Sequence, residues 1–437
     1  MNVAQTAVAV PQKRWARILP PAVLVYIFSY MDRGNIGIAM VGGMNKELHL
    51  SASVAGTAAG IFFIGYLVLQ MPAGHVAARG RAKAFISGAV ITWGLAAMLT
   101  GFVQNAWQLT LLRFFLGVAE GGTFPAMLAL IANWFPAHER ARANAIFMMS
   151  SSVGYMITSP ISGWIISLWG WRHVFIIEGI FTIAMVLIWH PLVKDKPEEA
   201  KWLSPEERDY LVAMANEERE SVHASNKGDV SARDVLSKFD LWRLALIYFS
   251  YQVGVTAFGI WLPTLVKELT KTGIGATGIL SGIPFGAAMF GVYIFGAFSD
   301  RSGNRRFWAA FPGLCFGLCY LLSAQTKTNV WVSYAFLIGC GFFYQAHNGV
   351  FWTIPPILFG KEQSGFARGL INGVGNLGGF LGPFLVGWFI TRFHNSDYGL
   401  YGLSFFLVLA FAVALTLPAK TAKKETKVQA LKAPARS

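Results

Sequence analysis

ILPPAVLVYIFSYMDRGNIGIAM, residues 18–40, decides how the chain is read. Its length suits a membrane-spanning helix, since about 20 apolar residues rising 1.5 Å each cross a hydrocarbon core of about 30 Å. Yet it sets an acid, Asp32, beside a base, Arg33, more than halfway along. The rest of the chain explains why such a stretch is tolerated. Of 437 residues, 54% are hydrophobic and 13% charged, which excludes an ordinary soluble domain. Apolar runs of spanning length recur near 18–40, 54–77, 84–104, 107–133, 143–168, 173–193, 243–265, 276–298, 307–325, 330–357, 367–391 and 398–418, twelve in all. They are continuous rather than alternating, which excludes an outer-membrane barrel and leaves an all-α membrane protein of twelve transmembrane helices.

Orientation is read from Lys and Arg, which gather in cytoplasmic connections. Lys13, Arg14 and Arg17 precede the first run; Arg79, Arg81 and Lys83 follow the second; Arg140 and Arg142 follow the fourth; Arg301, Arg305 and Arg306 follow the eighth. Both the tail 1–17 and the basic tail 419–437 are therefore expected to be cytoplasmic, and the net charge of +14 is a topology signal that also suits anionic lipid rather than nucleic acid. No cleavable leader is expected, because the first seventeen residues lack a short apolar core before a cleavage site. Cys315, Cys319 and Cys340 fall in the ninth and tenth runs without ligand spacing and read as small buried hydrophobes.

One long polar stretch, 194–242, separates a six-span bundle at 18–193 from a second at 243–418. Within it Ser204 and Glu207 have the spacing of a capping box, opening an amphipathic helix whose charges are expected to face water. The halves repeat. GHVAARGRAK (74–83) and GAFSDRSGNRR (296–306) lie about 222 positions apart, and SPISGW (159–164) and GPFLVGW (382–388) about 224 apart. Two similar halves point to a transporter that rocks about a site near the membrane midplane.

GAFSDRSGNRR resembles the loop signature of the major facilitator superfamily, with Gly296, Asp300, Arg301, Gly303, Arg305 and Arg306 in register. The first-half loop carries Arg79 but has Ala78 where the superfamily's acid usually stands. RFFLGVAEGGTFPAMLALIANWFPAHERARA (113–143) is similar to the fourth-span signature of the anion:cation symporter branch, and YMDRGNIG (30–37) to its first span. The resemblance covers nearly the whole chain. It implies the twelve-helix fold, a gating role for Asp300, Arg301, Arg305 and Arg79, and no cofactor, with the proton gradient as driving force.

The buried charges need an account of their own. A charge at the bilayer centre costs about 2.5–3.5 kcal/mol, so Asp32, Arg33, Arg113 and Glu120 must face protein or water. Asp32 and Arg113 reach similar depth, and Glu120 lies two helical turns beyond Arg113 on the same face. Asp32 and Arg33 point about 100° apart, so each needs a partner on another helix. Asp32 is expected to meet Arg113, leaving Arg33 for substrate or for Glu120. An Arg fork suits a carboxylate, and a buried carboxylate suits a proton, so Arg33 and Arg113 read as the anion clamp and Asp32 and Glu120 as proton sites. A purely structural ion-pair network between spans one and four is the alternative. The resemblance adds Tyr30, Tyr66, Trp352 and Asn372 as site-lining groups. Gln252, His347 and Asn348 could line the cavity or bond between helices. Glu178 reads as a structural partner of Arg172, and Gly117, Gly121, Gly122 and the glycines of 373–382 as close-packing positions.

No Walker pattern, metal cluster or catalytic triad is present in the sequence, so an enzyme is not expected. The expected function is proton-coupled import of an organic carboxylate across a bacterial inner membrane by a monomer. Sugar acids of hexonate, ketogluconate or hexuronate type lead through the resemblance. Aromatic acids, small dicarboxylates and a proton antiporter or exchanger remain open, and a non-transporting receptor is the most distant alternative.

Overall fold

Expected spans become helices in the computed structural model, which describes residues 13–225 and 232–418; the expectations for 1–12 and 419–437 lie outside them. The spans correspond to α1 (Lys13–Ala39), α2 (Ala52–Val76), α3 (Ala82–Thr100), α4 (Ala106–Trp134), α5 (Ala137–Trp169), α6 (Trp171–Leu192), α7 (Phe239–Thr270), α8 (Ile274–Ser302), α9 (Arg305–Gln325), α10 (Val330–Phe343), α11 (Ile354–Phe393) and α12 (Asp397–Leu415). Nine helices among the described residues are long and apolar enough to cross a membrane. The other three spans have identifiable interruptions. α1 carries Asp32 and Arg33, α5 the polar run Ser150–Ser152, and α10 breaks at Tyr344 and Gln345 before a short helix, Ala346–Phe351.

The chain divides into two compact units, Met1–Gly228 with Thr272–Ile279, and Asp229–Lys271 with Leu280–Ser437. The internal repeat is visible in how helices pair. In the first unit α1 packs on α5, α2 on α4 and α3 on α6; in the second α7 packs on α11, α8 on α10 and α9 on α12. Small residues permit these approaches, as the glycine pattern predicts. A Cβ at Gly117 would lie 2.0 Å from the carbonyl oxygen of Phe62, and one at Gly121 would lie 2.1 Å from that of Tyr66. Only glycine lets α4 sit against the α2 backbone there, and that contact holds Phe62 and Tyr66 at fixed height beside α1.

The linker helix, Pro205–Ser225, starts as its sequence predicts: Ser204 Oγ accepts from the Glu207 N–H at 3.2 Å. Its expected solvated face is corrected at Glu207, which is fully buried. Its carboxylate accepts from Arg14 Nη1 at 2.7 Å and from the main-chain N–H groups of Lys13 and Arg14 at 3.3 and 3.4 Å. Those N–H groups open α1 and have no partner within the helix, and the positive end of the helix dipole favours an acid there. Arg14 also donates to Glu139 of α5 at 2.7 and 2.8 Å. Further along, Arg140 donates to both oxygens of Glu218 at 2.8 and 2.9 Å, and those hydrogen bonds hold the Glu218 carboxyl below its ordinary value.

Glu207→Ala would take from the buried Arg14 one of the two carboxylates it pairs with, leaving Glu139. Breaking a buried pair by removing one partner costs about 3–5 kcal/mol, and the surviving Glu139 contact should reduce this to about 2–3 kcal/mol. The expected result is a lower unfolding midpoint in detergent and faster proteolysis between 194 and 238, with Glu207→Gln intermediate. Equal midpoints for Glu207→Ala and the parent would show that the contact contributes no stability.

Candidate substrate and proton site

Four of the first unit's buried charges lie on α1 and α4. Asp32, Arg33, Arg113 and Glu120 are all buried, Arg33 the most accessible at 8%. Glu120 sits in the last turn of the first α4 segment, Ala106–Gly121, just before the break at Gly122. Arg33 Nε donates to Glu120 Oε1 at 2.6 Å, its Nη2 forms an ion pair with the same oxygen, and Ser29 Oγ donates to it as well. Ser29 and Arg33 are one helical turn apart, which is why both reach one carboxylate.

Arg33 is enclosed by aromatic rings. Its guanidinium carbon lies 4.7 Å from the Tyr30 ring centroid, 4.8 Å from Tyr66 and 5.3 Å from Phe62. Arg113 lies 5.4 Å from the same Phe62 ring. Such rings attract a cation through their quadrupole and keep it from bulk water, where a competing anion would be screened.

The expected contact between the Asp32 and Arg113 side chains is corrected. Arg113 Nη1 donates instead to the main-chain carbonyl of Asp32 at 2.9 Å. The Asp32 carboxylate turns to α6, where its Oδ2 accepts from Thr182 Oγ1 at 3.4 Å. The 100° between neighbours on a helix sends Arg33 to α4 and Asp32 to α6. Asp32 Oδ1, Glu120 Oε2 and Arg113 Nε have no hydrogen-bond partner among the described residues. Buried polar atoms are ordinarily bonded, so an unfilled donor and unfilled acceptors on these helices suit a site that takes up an anion and protons.

The expected Glu178–Arg172 pair is also corrected. Arg172 instead pairs with Glu47 at 2.9 Å and donates to the carbonyls of Gly101 and Val103. Hydrogen bonds from Trp171 and Arg172 hold the Glu47 carboxyl below its ordinary value. Glu178 is buried and accepts from Asn35 Nδ2 at 3.0 Å and Ser162 Oγ at 2.6 Å.

In the second unit the expected site-lining residues are half-buried and spread over α7, the α10–α11 connection and α11. Gln252 lies on α7 where Gly378 of α11 approaches it. Trp352 packs edge-on against Tyr248 at 4.9 Å, and its main-chain carbonyl accepts from Arg368 at 3.0 Å. Asn372 of α11 accepts at its main-chain carbonyl from Asn376. His347 stacks between Tyr251 at 4.1 Å and Phe351 at 4.6 Å with Nδ1 against the Ala309 carbonyl, and its Nε2 is buried without a hydrogen-bond partner among the described residues. Tyr248 was not anticipated; its four-residue spacing from Gln252 on α7 is the signal that could have found it.

The loop residues occupy two tight turns. Asp300 and Arg301 are exposed in the last turn of α8, Gly303 takes φ +65°, and Arg305 opens α9 behind Asn304, whose side chain accepts from the Phe307 N–H at 3.2 Å. Arg79 is exposed in the corresponding turn of the first unit, where Gly80 takes φ +76°.

Residues 22–383 match the sequence model of the Major Facilitator Superfamily. A protein of Agrobacterium vitis named for tartrate transport is 33% identical over 411 residues, covering 92% of this chain and 93% of its own. A quinolone resistance transporter of Acinetobacter baumannii is 28% identical, covering 96% and 97%. A protein of Escherichia coli K12 named for galactarate/D-glucarate transport is 27% identical, covering 85% and 87%. Among solved structures, a bacterial homologue of the lysosomal transporter Spinster in an inward-facing, occupied conformation superposes with TM-score 0.75 at 16% identity, covering 95% of this chain and 100% of its own.

Proposed function

We propose a substrate class and a coupling scheme for this multi-pass membrane transporter, which belongs to the major facilitator superfamily: import of a hydroxylated organic carboxylate, of sugar-acid or tartrate type, by proton symport with alternating access in a bacterial inner membrane. Names of two relatives support the substrate class, since tartrate, galactarate and glucarate are all polyhydroxy acids. Tyr30, Tyr66, Gln252 and Asn372 fit such a substrate, because they offer donors and acceptors without adding charge.

The observation that carries the scheme is the Arg33–Glu120 pair beneath its aromatic enclosure. Without substrate, Glu120 neutralises Arg33. A substrate carboxylate that takes the guanidinium releases Glu120, which is then a buried acid without its cation. Keeping it charged there is costly, so it takes a proton. Anion binding and proton binding are thereby tied to one arginine. Arg113, with Nε unfilled, serves as the second cation of the clamp, and Asp32 as a further proton acceptor. Asp300, Arg301, Arg305 and Arg79 act at the turns that must rearrange during the cycle. One proton with a monoanion, or two with a dianion such as tartrate, move no net charge, whereas one further proton carries one positive charge inward and gains about 2.3 kcal/mol per 100 mV.

The test is external pH in lightly buffered, energy-depleted cells given pulses of tartrate, aldarates, hexonates, hexuronates and aromatic acids. A polyhydroxy acid should alkalinise the medium in the parent and fail to do so in Glu120→Gln. Entry of labelled acid without alkalinisation would defeat the symport reading. Acidification of the medium on a pulse of quinolone, the drug entering in exchange for protons through the reversed cycle, would favour proton-coupled drug export, the reading that the Acinetobacter relative supports.

A further inference from the structure

We infer that the interface of α1 with α6 is a proton-binding site separate from Glu120, with Glu178 as its resident acid. The two helices form a ladder of polar side chains. Asp32 and Asn35, one turn apart on α1, face Thr182 and Glu178, one turn apart on α6. Ser162 of α5 closes the ladder at 2.6 Å from Glu178. Glu178 is the eighth residue of α6, about 11 Å from its start, so it lies inside the span rather than at its mouth.

Among the described residues, both carboxylate oxygens of Glu178 are met by neutral groups only, Asn35 and Ser162. The cations of this unit that approach the region are engaged elsewhere: Arg33 by Glu120, Arg113 by the Asp32 carbonyl, Arg172 by Glu47. The other neighbours add no charge. α3 meets α6 through Gly94 and Met98 around Gly179, and α5 presents Ser162; Asp32 is the titratable group facing this ladder from α1. A carboxylate in the membrane interior with no cation costs several kcal/mol, and a proton removes that cost.

A second observation points the same way. Asp32 Oδ1 and Asn35 Oδ1 are buried acceptors with no donor among the described residues. Two carboxyls and an amide oxygen thus share the interface with too few hydrogens, and a bound proton supplies one. Ser162 Oγ can accept from a protonated Glu178 as readily as it donates, since its hydroxyl hydrogen rotates, and 2.6 Å is the length expected of such a bond. The site itself rests on this geometry; its part in coupling rests on the symport reading above.

Infrared difference spectra of the purified protein in lipid, without substrate, test it. The parent should show the C=O stretch of a protonated carboxylic acid at neutral pH, sensitive to D2O; Glu178→Gln should lose one acid's share of it, and Glu178→Asp should keep it at a shifted frequency. Should Glu178→Gln fail to fold, Ser162→Ala replaces it and should shift the band by removing the hydrogen bond. An acid band unchanged by these substitutions overturns the inference. Because no substrate is present, absence of proton-coupled uptake in the pulse experiment would leave this readout intact, so the two failures are distinguishable.

Discussion

Arg33→Ala should lower substrate accumulation by about two to three orders of magnitude and destabilise the protein at the same time. Both effects have one cause. Arg33 supplies three of the contacts that make the site: the hydrogen bond and ion pair to Glu120, and the cation seated among Tyr30, Tyr66 and Phe62. Removing it leaves Glu120 fully buried with only Ser29 as a donor, a change in the class that costs about 3–5 kcal/mol. It also removes the group that grips the substrate carboxylate, and each 1.4 kcal/mol lost there is a factor of ten in affinity.

The conservative variant separates the roles. Lys retains charge but not the planar fork, so Arg33→Lys should recover much of the stability, through an ammonium–Glu120 contact, while recovering little transport. Arg33→Ala with Glu120→Ala should likewise recover stability and no transport. Unfolding midpoints in detergent and uptake of labelled acid in proteoliposomes decide the matter. Full transport in Arg33→Lys would show that charge alone suffices and that the fork does not hold the substrate. Full transport in Arg33→Ala would remove Arg33 from the site.

How far these relations were legible in the sequence depends on the kind of signal each residue sends. A charge inside an apolar run is conspicuous, so Asp32, Arg33, Arg113 and Glu120 were identifiable from composition alone, and the helical period predicted that Asp32 and Arg33 diverge. It could not say which neighbour each would find, because that depends on how α1 is rotated between α4 and α6. Hence Glu120 was one of two partners left open for Arg33, while Arg113 was assigned to the Asp32 carboxylate rather than its carbonyl. The Glu178 assignment failed for a reason the sequence did contain. Arg172 lies six residues before Glu178, and six residues turn a helix by about 600°, which puts the two on different faces. Asn35, three residues after Asp32, was the available sign of a polar face toward another helix. Glu207 illustrates the opposite limit: local spacing placed it at the start of its helix, and nothing local could show that Arg14, 193 positions away, would bury it.

Gly117→Ala should cost more than its single methyl group suggests, while the same substitution at Gly88 should be harmless. A Cβ at Gly117 would lie 2.0 Å from the Phe62 carbonyl oxygen, against an ordinary carbon–oxygen approach of about 3.3–3.6 Å. Backbone cannot rotate away as a side chain can, so α2 must retreat from α4 by more than 1 Å. Phe62 and Tyr66 retreat with it, which opens the aromatic enclosure around Arg33 and the contact of Arg113 with Phe62. Overpacking of this kind costs about 1–3 kcal/mol, and loss of the enclosure should reduce transport by at least about tenfold even in the fraction that folds. At Gly88, on α3, an added methyl carbon would meet nothing within 4 Å, so Gly88→Ala should leave transport unchanged and gain up to about 1 kcal/mol from helix propensity. The pair is measured by unfolding midpoint and initial uptake rate side by side. If the two variants behave alike, α2 and α4 do not touch backbone to backbone, and the placement of Tyr66 over Arg33, with the coupling scheme built on it, loses its support.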